Sequence, residues 1–532
     1  MCPDFADYVM TADSEVEYEA ASNYDGETGI SINDLRNPLL SDFLTLSDSS
    51  TDDETAISGE DLNKWRDENI HKTIEKLELS AFSRYMALPR SEEEDSIPVM
   101  IRVKAPRYDY GCRSPIDLVL VLDITGSMAG GENPSQIKQG ALFVLRNLQA
   151  QDRLSVVALH NNCTHLLFPL TYLSDEDGKK ALARTKIEEW PSVAAPFDII
   201  HAPALEAVHQ ILAQREGLHG IRLARVMVLT DGVEGKAPIT TQGDYPTYTF
   251  GLGPKHGRWK AYDVASQGHG TYSFDSTMDL KSIGAAMALC IGGLTSITAR
   301  HVKISIRSEQ PAGVRISRIT SGAYHNHVYE NGTLGTIKVD DIYNSEEKNF
   351  LVYVNVPRDG AAGGIFRWTT KTKLLTVEAK YYCPVSNSSV WLDPVEVSVE
   401  RKGQTQASSQ AVEVAGEVTR ARVFEEVAKI AADVRTDSGG FSLAAVRRTI
   451  EDTQEAKAAK DTWEGLSRDL DSMEDAETGI PFMLSWLTSH QWQRAAMPGS
   501  MSKSLLMNFR TTRMNNLIDS VDLAPVDIRA RT

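Results

Sequence analysis

Five aliphatic residues stand between two carboxylates in the run Asp117 to Asp123, D-L-V-L-V-L-D. An unbroken apolar run this short has neither the length of a helix nor the alternation of a half-solvated strand. It reads as a strand buried on both faces, and such strands need helical cover above and below the sheet. The sequence that follows supplies it. Pro134 opens a helix whose Ile137, Ala141, Val144, Leu145 and Leu148 fall on one stripe. Leu154 to His160 is a second strand, helices are expected at about 174–190 and 202–216, and strands at Arg225 to Thr230 and Tyr248 to Gly251 precede a helix near 258–267. Strands alternating with helices of this length specify an α/β fold, a doubly wound parallel sheet over residues 113–297.

The flanking sequence has a different period. Val99, Ile101, Val103 and Ala105 alternate with polar residues, as do Val302, Ile304 and Ile306, then Leu351 to Val356, Leu375 to Ala379 and Val395 to Val399. Alternation of this kind marks antiparallel strands with one wet face. The strand near 99–105 is expected to join those of 301–400 in one antiparallel β-sandwich, so that the α/β domain is inserted into it. Beyond residue 411 the period becomes helical. Val423, Val427, Ile430 and Val434 share a face, Gly439–Gly440 interrupts, and Val446 to Ile450 begins again, which reads as an antiparallel helix pair. Phe482, Trp486 and Trp492 close the chain as core aromatics. The expected organisation is an acidic disordered tail (1–60), a flank of helix and strand (61–112), the α/β domain (113–297), the sandwich (298–405), a helical hairpin (406–475) and a Trp-bearing C-terminal segment (476–532).

Charge separates the tail from the body. Of the net −18, residues 1–60 carry −14, fifteen acidic residues against the single base Arg36, and the remaining 472 residues carry only −4. Such a tail cannot bury enough apolar surface to offset its ordering entropy. The overall sign argues against a phosphate-backbone ligand and gives no general attraction to membranes. The N-terminus has neither a basic nor an apolar leader region. The longest apolar stretch, Ile283 to Ile297, is too short to span a bilayer. Cys2, Cys112, Cys163, Cys290 and Cys383 are odd in number and form no paired spacing, as expected of free thiols in a reducing compartment. The expected location is the cytoplasm, with the nucleus left open.

The chemistry-bearing residues begin where the first buried strand ends. Asp123-Ile124-Thr125-Gly126-Ser127-Met128 places a carboxylate and two hydroxyls on one tight turn. An open parallel sheet binds ligands outside the carboxyl ends of its strands. Asp231, in Leu229-Thr230-Asp231-Gly232, ends another buried strand 108 residues later and reaches the same edge. Hard divalent cations such as Mg²⁺ prefer oxygen donors of this kind.

This pattern resembles the metal-ion-dependent adhesion site of the von Willebrand factor A (vWA) family, written D-x-S-x-S, then a Thr, then an Asp. The run Arg113 to Gly130, R-S-P-I-D-L-V-L-V-L-D-I-T-G-S-M-A-G, also resembles the plant RING-type ubiquitin ligases that carry this domain, the wavy-growth group. So do Asp152 to Val157, Tyr248 to Gly253, Cys290 to Leu294, and Met483 to Leu487 with Gln491 to Arg494, so the likeness covers roughly residues 80–500. The resemblance implies a vWA fold, a metal held by Asp123, Thr125, Ser127 and Asp231, and a protein partner whose carboxylate completes the metal shell.

Two departures limit what is carried over. The family has a Thr before the third helix, in a Gly-Thr-Asn/Asp-Ile stretch; here Ala194 to Ile199 reads A-A-P-F-D-I, with Phe197 in that place and Asp198 beside it. Phe offers no oxygen, so the site is expected to be degenerate and to hold Mg²⁺ weakly or not at all. A RING needs about eight Cys and His in paired spacings, and the sequence has five cysteines and no C-x-x-C. Gly251 to Gly257, G-L-G-P-K-H-G, lacks the dinucleotide spacing, G-S-M-A-G lacks a central Ser, and neither a phosphate loop nor an H-E-x-x-H helix occurs. No catalytic or cofactor-binding residue is assigned. The expectation is therefore a non-catalytic protein–protein interaction protein. Its alternative is a RING-less adaptor or substrate-binding component of ubiquitin ligation. The expected partners are proteins, RING-bearing paralogues or ubiquitination substrates, with no nucleic acid and no membrane.

Overall fold

A computed structural model describes residues 75–523 apart from 91–92, 108–112, 124–132, 161–162, 191–201, 214, 216–221, 231–244, 254–255, 276–279, 309–312, 359–369, 385, 387, 403–410, 437–441, 476–477 and 497–508. The expected acidic tail and Gly439–Gly440 lie outside the described residues.

The α/β part holds six strands: β4 (Ile116–Asp123), β5 (Arg153–His160), β6 (Cys163–Tyr172), β7 (Leu223–Thr230), β8 (Thr247–Leu252) and β9 (Tyr272–Asp275), in the order β6-β5-β4-β7-β8-β9. All eight residues of β4 are buried, as the unbroken apolar run requires. Five strands run parallel; β6 is antiparallel to β5 and forms an edge. Sequence reasoning had no strand at β6, because Pro169 and the polar residues Thr164, His165 and Thr171 break its alternation, and proline is tolerated on an edge where no ladder partner needs its N–H. The cover comes from α1 (Asn133–Asn147), α2 (Lys179–Glu189), α3 (Ala202–Ala213), α4 (Arg258–Gln267) and α5 (Leu280–Leu294). The predicted stripe of α1, Ile137 to Leu148, is wholly buried. The long apolar stretch forms most of α5, a core helix, and no helix among the described residues is long and apolar enough to cross a membrane.

Two antiparallel-rich sheets flank this part. The first has β1 (Glu78–Ser83), β3 (Glu94–Lys104), β14 (Glu347–Val356) and β11 (Arg315–Thr320) in the order β1-β3-β14-β11. The second contains β12 (His325–Val328), β13 (Leu334–Tyr343), β10 (Ile297–Ser308), β15 (Lys371–Cys383), β17 (Val395–Lys402) and β2 (Ala87–Pro89), with β16 (Ser388–Trp391) paired to β15. Because β3 pairs with β14 across Val99–Val352 while β4 to β9 intervene in sequence, the α/β segment is inserted into the sandwich.

The C-terminal region is helical. Where a simple helix pair was expected, α6 (Val412–Arg435) is followed by α7 (Ala444–Ile450), α8 (Gln454–Ala458) and α9 (Lys460–Met473), and then by α10 (Gly479–Trp492) and α11 (Thr512–Leu523). Thr453 caps α8 by accepting the Ala456 N–H, which breaks the run expected as one helix. The long α6 joins two cores. Its Val414, Val418 and Ala421 pack on Met100, Leu351 and Tyr353 of the four-stranded sheet. Farther along, Val423, Val427 and Ala431 enter the core that contains β4 and α10. Arg435 at its end grips both oxygens of Asp263 on α4 at 2.7 Å. Phe482, Trp486 and Trp492 are core residues.

Candidate functional site

The chain passes from β4 to β5 on one side and returns to β7 on the other, so the strand order reverses at the carboxyl end of β4. Loops leaving two neighbouring strands in opposite directions open a crevice there. Asp123, the last residue of β4, stands in register with Leu159 on β5 and Thr230 on β7. Its side chain has no exposed surface, and the Thr230 hydroxyl donates to its Oδ2 at 2.6 Å. Thr125, Ser127 and Asp231, together with Phe197 and Asp198, lie outside the described residues. The structure thus places one predicted donor and adds Thr230, which immediately precedes Asp231 in sequence. The T-D-G triplet contained that residue, but its role depends on a cross-strand register that a local motif does not reveal.

The glycine-rich run after β8 makes room for a side chain. A Cβ on Gly251 would sit 2.2 Å from the His256 ring. That ring is buried, with Nδ1 2.6 Å from the Gly253 carbonyl oxygen and Nε2 on the Tyr272 hydroxyl.

At the amino end of the same sheet a second buried carboxylate has different company. Asp117 receives Arg153 through two bonds of 2.8 and 2.7 Å, Arg215 at 2.7 Å and Arg222 at 2.6 Å. Arg222 and Arg153 also lie over the Tyr172 ring, 5.0 and 5.7 Å from its centroid. Burial works to raise the Asp117 pKa, but the Arg153 hydrogen bond and the charges of Arg222 and Arg153 outweigh it and hold the carboxyl below its ordinary value.

A third polar cluster joins the three regions. Arg225 of β7 and Arg300 of β10 meet Asp341 of β13, and Arg494, just after α10, donates to the Asp341 carbonyl oxygen at 2.9 Å. Tyr248 of β8 and Tyr343 of β13 share a hydroxyl contact of 3.0 Å. Lys348 donates to Glu346 at 2.7 Å and to the Trp492 carbonyl oxygen at 3.0 Å. Desolvation pulls the Lys348 pKa down to about 8.

Comparison with known proteins bears on the fold. No protein-family model matches the chain. It is 27% identical over 272 residues to the E3 ubiquitin-protein ligase WAV3 of Arabidopsis thaliana, covering 49% of this chain and 35% of the ligase. It is 26% identical over 299 residues to the E3 ubiquitin-protein ligase WAVH1 of the same plant, covering 55% and 39%. The match therefore spans well under half the length of these curated relatives. Among solved structures, a von Willebrand factor type A protein from Catenulispora acidiphila aligns with TM-score 0.51 at 12% identity, over 79% of this chain and 98% of that one. The fold is that of a vWA domain set in a β-sandwich with a helical C-terminal region. The relatives correct one expectation: the chain was read as having no enzymatic role, and two of the curated proteins it resembles are named as ubiquitin ligases.

Proposed function

We propose that this chain serves ubiquitin ligation as the part that holds a protein partner at the carboxyl edge of its vWA sheet. What supports the reading is the similarity to two ubiquitin ligases over about half of the chain. The observation that carries it to a place is the buried Asp123–Thr230 pair at the strand-order reversal. That donor set suits a hard cation. Asp123 is a carboxylate oriented by a hydroxyl, and Thr125, Ser127 and Asp231 add oxygens close by in sequence. A bound Mg²⁺ would supply a Lewis-acidic position for a carboxylate of the partner, either a ubiquitination substrate or a RING-bearing relative. Asp123 holds its place through Thr230, and the buried strand keeps water from its inner side. Phe197, standing where the resembled family has Thr, makes the proposed site a weak one.

The test is affinity purification of the full chain and of Asp123→Ala from cells, read by mass spectrometry. The chain is expected to bring down ubiquitin-conjugating enzymes or ubiquitin-modified proteins, and Asp123→Ala is expected to lose at least half of them while unfolding at a similar temperature. Recovery of neither class by the wild-type chain would sink the proposal.

A further inference from the structure

The exposed face of the seven-stranded sheet carries a row that the proposed function does not use. His325 of β12 pairs with Lys338 of β13, Lys338 with Lys303 of β10, Lys303 with Lys380 of β15, and Lys380 with Trp391 of β16. Side chains in direct register share a face, and all five are exposed. Three lysines therefore stand side by side on adjacent strands, about 4.8 Å apart. Like charges placed directly opposite across strands destabilise a sheet. Other lysines of this sheet avoid that cost: Lys373 meets Glu396 at 2.7 Å and Lys402 meets Glu400 at 3.5 Å. No described carboxylate forms an ion pair with Lys303, Lys338 or Lys380. At the end of the row Lys380 lies 5.0 Å from the Trp391 ring centroid, and Trp391 is 62% exposed, the highest value among the large apolar side chains described.

We propose that this row binds a short acidic segment of a partner protein, with the three ammonium groups facing its carboxylates and Trp391 covering an apolar residue beside them. The length fits. Three strands and the Trp span roughly 14 Å, which four or five extended residues cover. The width fits a short segment and not a long polyanion. Asp340, two residues from Lys338, and Glu378, two residues from Lys380, border the row on opposite sides. An exposed Trp next to a cationic row is the kind of residue on which binding energy concentrates when a partner covers it.

A fluorescein-labelled peptide of seven glutamates with one leucine at its end serves as the probe, read by anisotropy at low salt on the full chain. The affinity is expected to fall by about tenfold or more in Lys303→Glu/Lys380→Glu, as for lost charge pairs across an interface. It should fall by about threefold in Trp391→Ala and stay unchanged in Lys373→Glu, whose partner is Glu396. Thermal unfolding guards against a merely structural role. Lys303→Thr is expected to melt at the same temperature or higher, because it relieves the repulsion. The proposal is overturned if wild type does not bind the peptide below millimolar concentration, if the double variant binds as well as wild type, if Lys303→Thr melts lower, or if labelled octauridylate binds the row more tightly than the peptide.

Discussion

Asp117 and Asp123 lie at opposite ends of one strand, on one face, and neither has exposed surface. The partners that hold each of them differ. Three arginines converge on Asp117, from β5, from the residue 215 region after α3 and from the start of β7. Asp123 receives the Thr230 hydroxyl, and Thr125 and Ser127 follow it in sequence. A buried carboxylate neutralised by guanidinium groups locks the elements that supply them. The Asp123 carboxylate is oriented by the Thr230 hydroxyl where the strand order reverses. One end of the sheet closes the fold, and the other is where the proposed site lies.

The largest effect should come from breaking the closed end. Asp117→Asn leaves three arginines around a neutral amide, and removing one partner of a buried ion pair costs about 3–5 kcal/mol. Urea unfolding of the full chain measures it. The carboxyl also sets an acid limit. Its folded pKa lies below its ordinary value, so its contribution is fully present above the unfolded pKa of about 4 and is lost as pH falls through the folded value. Wild type should therefore lose stability steeply below pH ~4, and Asp117→Asn should lose less over the same window. An Asp117→Asn protein as stable as wild type at pH 7 would erase the distinction between the two ends.

The strand itself was legible, and its use was only half so. Five aliphatic residues between carboxylates sufficed to place β4, and periodicity gave the stripe of α1 and the joining of the strand near 99–105 to those of 301–400, though not its pairing partner β14. The period-two reading missed β6, broken by Pro169, and β9, only four residues long. The sequence marks Asp117 and Asp123 alike as the ends of one apolar run. What distinguishes them is tertiary: Arg215 and Arg222 are 98 and 105 positions from Asp117, and Thr230 is 107 from Asp123. No local pattern encodes contacts over such distances. Thr125, Ser127 and Asp231 remain readings of the sequence.

A smaller effect is expected at the presenting end. Thr230→Val keeps the shape of the side chain and removes the hydroxyl that donates to Asp123. A single hydrogen bond to a charged group is worth about 1.5–3 kcal/mol, less than the loss at Asp117. The same variant should weaken Mg²⁺ binding, since the carboxylate loses the contact that fixes its orientation, as second-layer partners of metal ligands commonly do. Unfolding and calorimetric titration on one sample separate the two effects. Equal Mg²⁺ affinity in both proteins, with the stability loss present, would show that Thr230 serves packing alone.

The smallest effect tests the departure from the resembled family. Phe197 occupies the place of a Thr that the family uses as an oxygen donor, so Phe197→Thr returns one hard ligand to a shell of six. One neutral oxygen among carboxylates and waters adds modestly, because water already fills a vacant position on Mg²⁺. A gain of about tenfold in affinity, equivalent to about 1.4 kcal/mol, is the expected scale. Titration of Mg²⁺ and Mn²⁺ into wild type and Phe197→Thr, with Asp123→Ala as the background, reads it directly. If wild type and Phe197→Thr bind equally and tightly, the site is complete without that oxygen and Asp198 is the next residue to substitute. If Phe197→Thr gains affinity and Asp123→Ala removes it, the presenting end is a cation site that Phe197 holds weak.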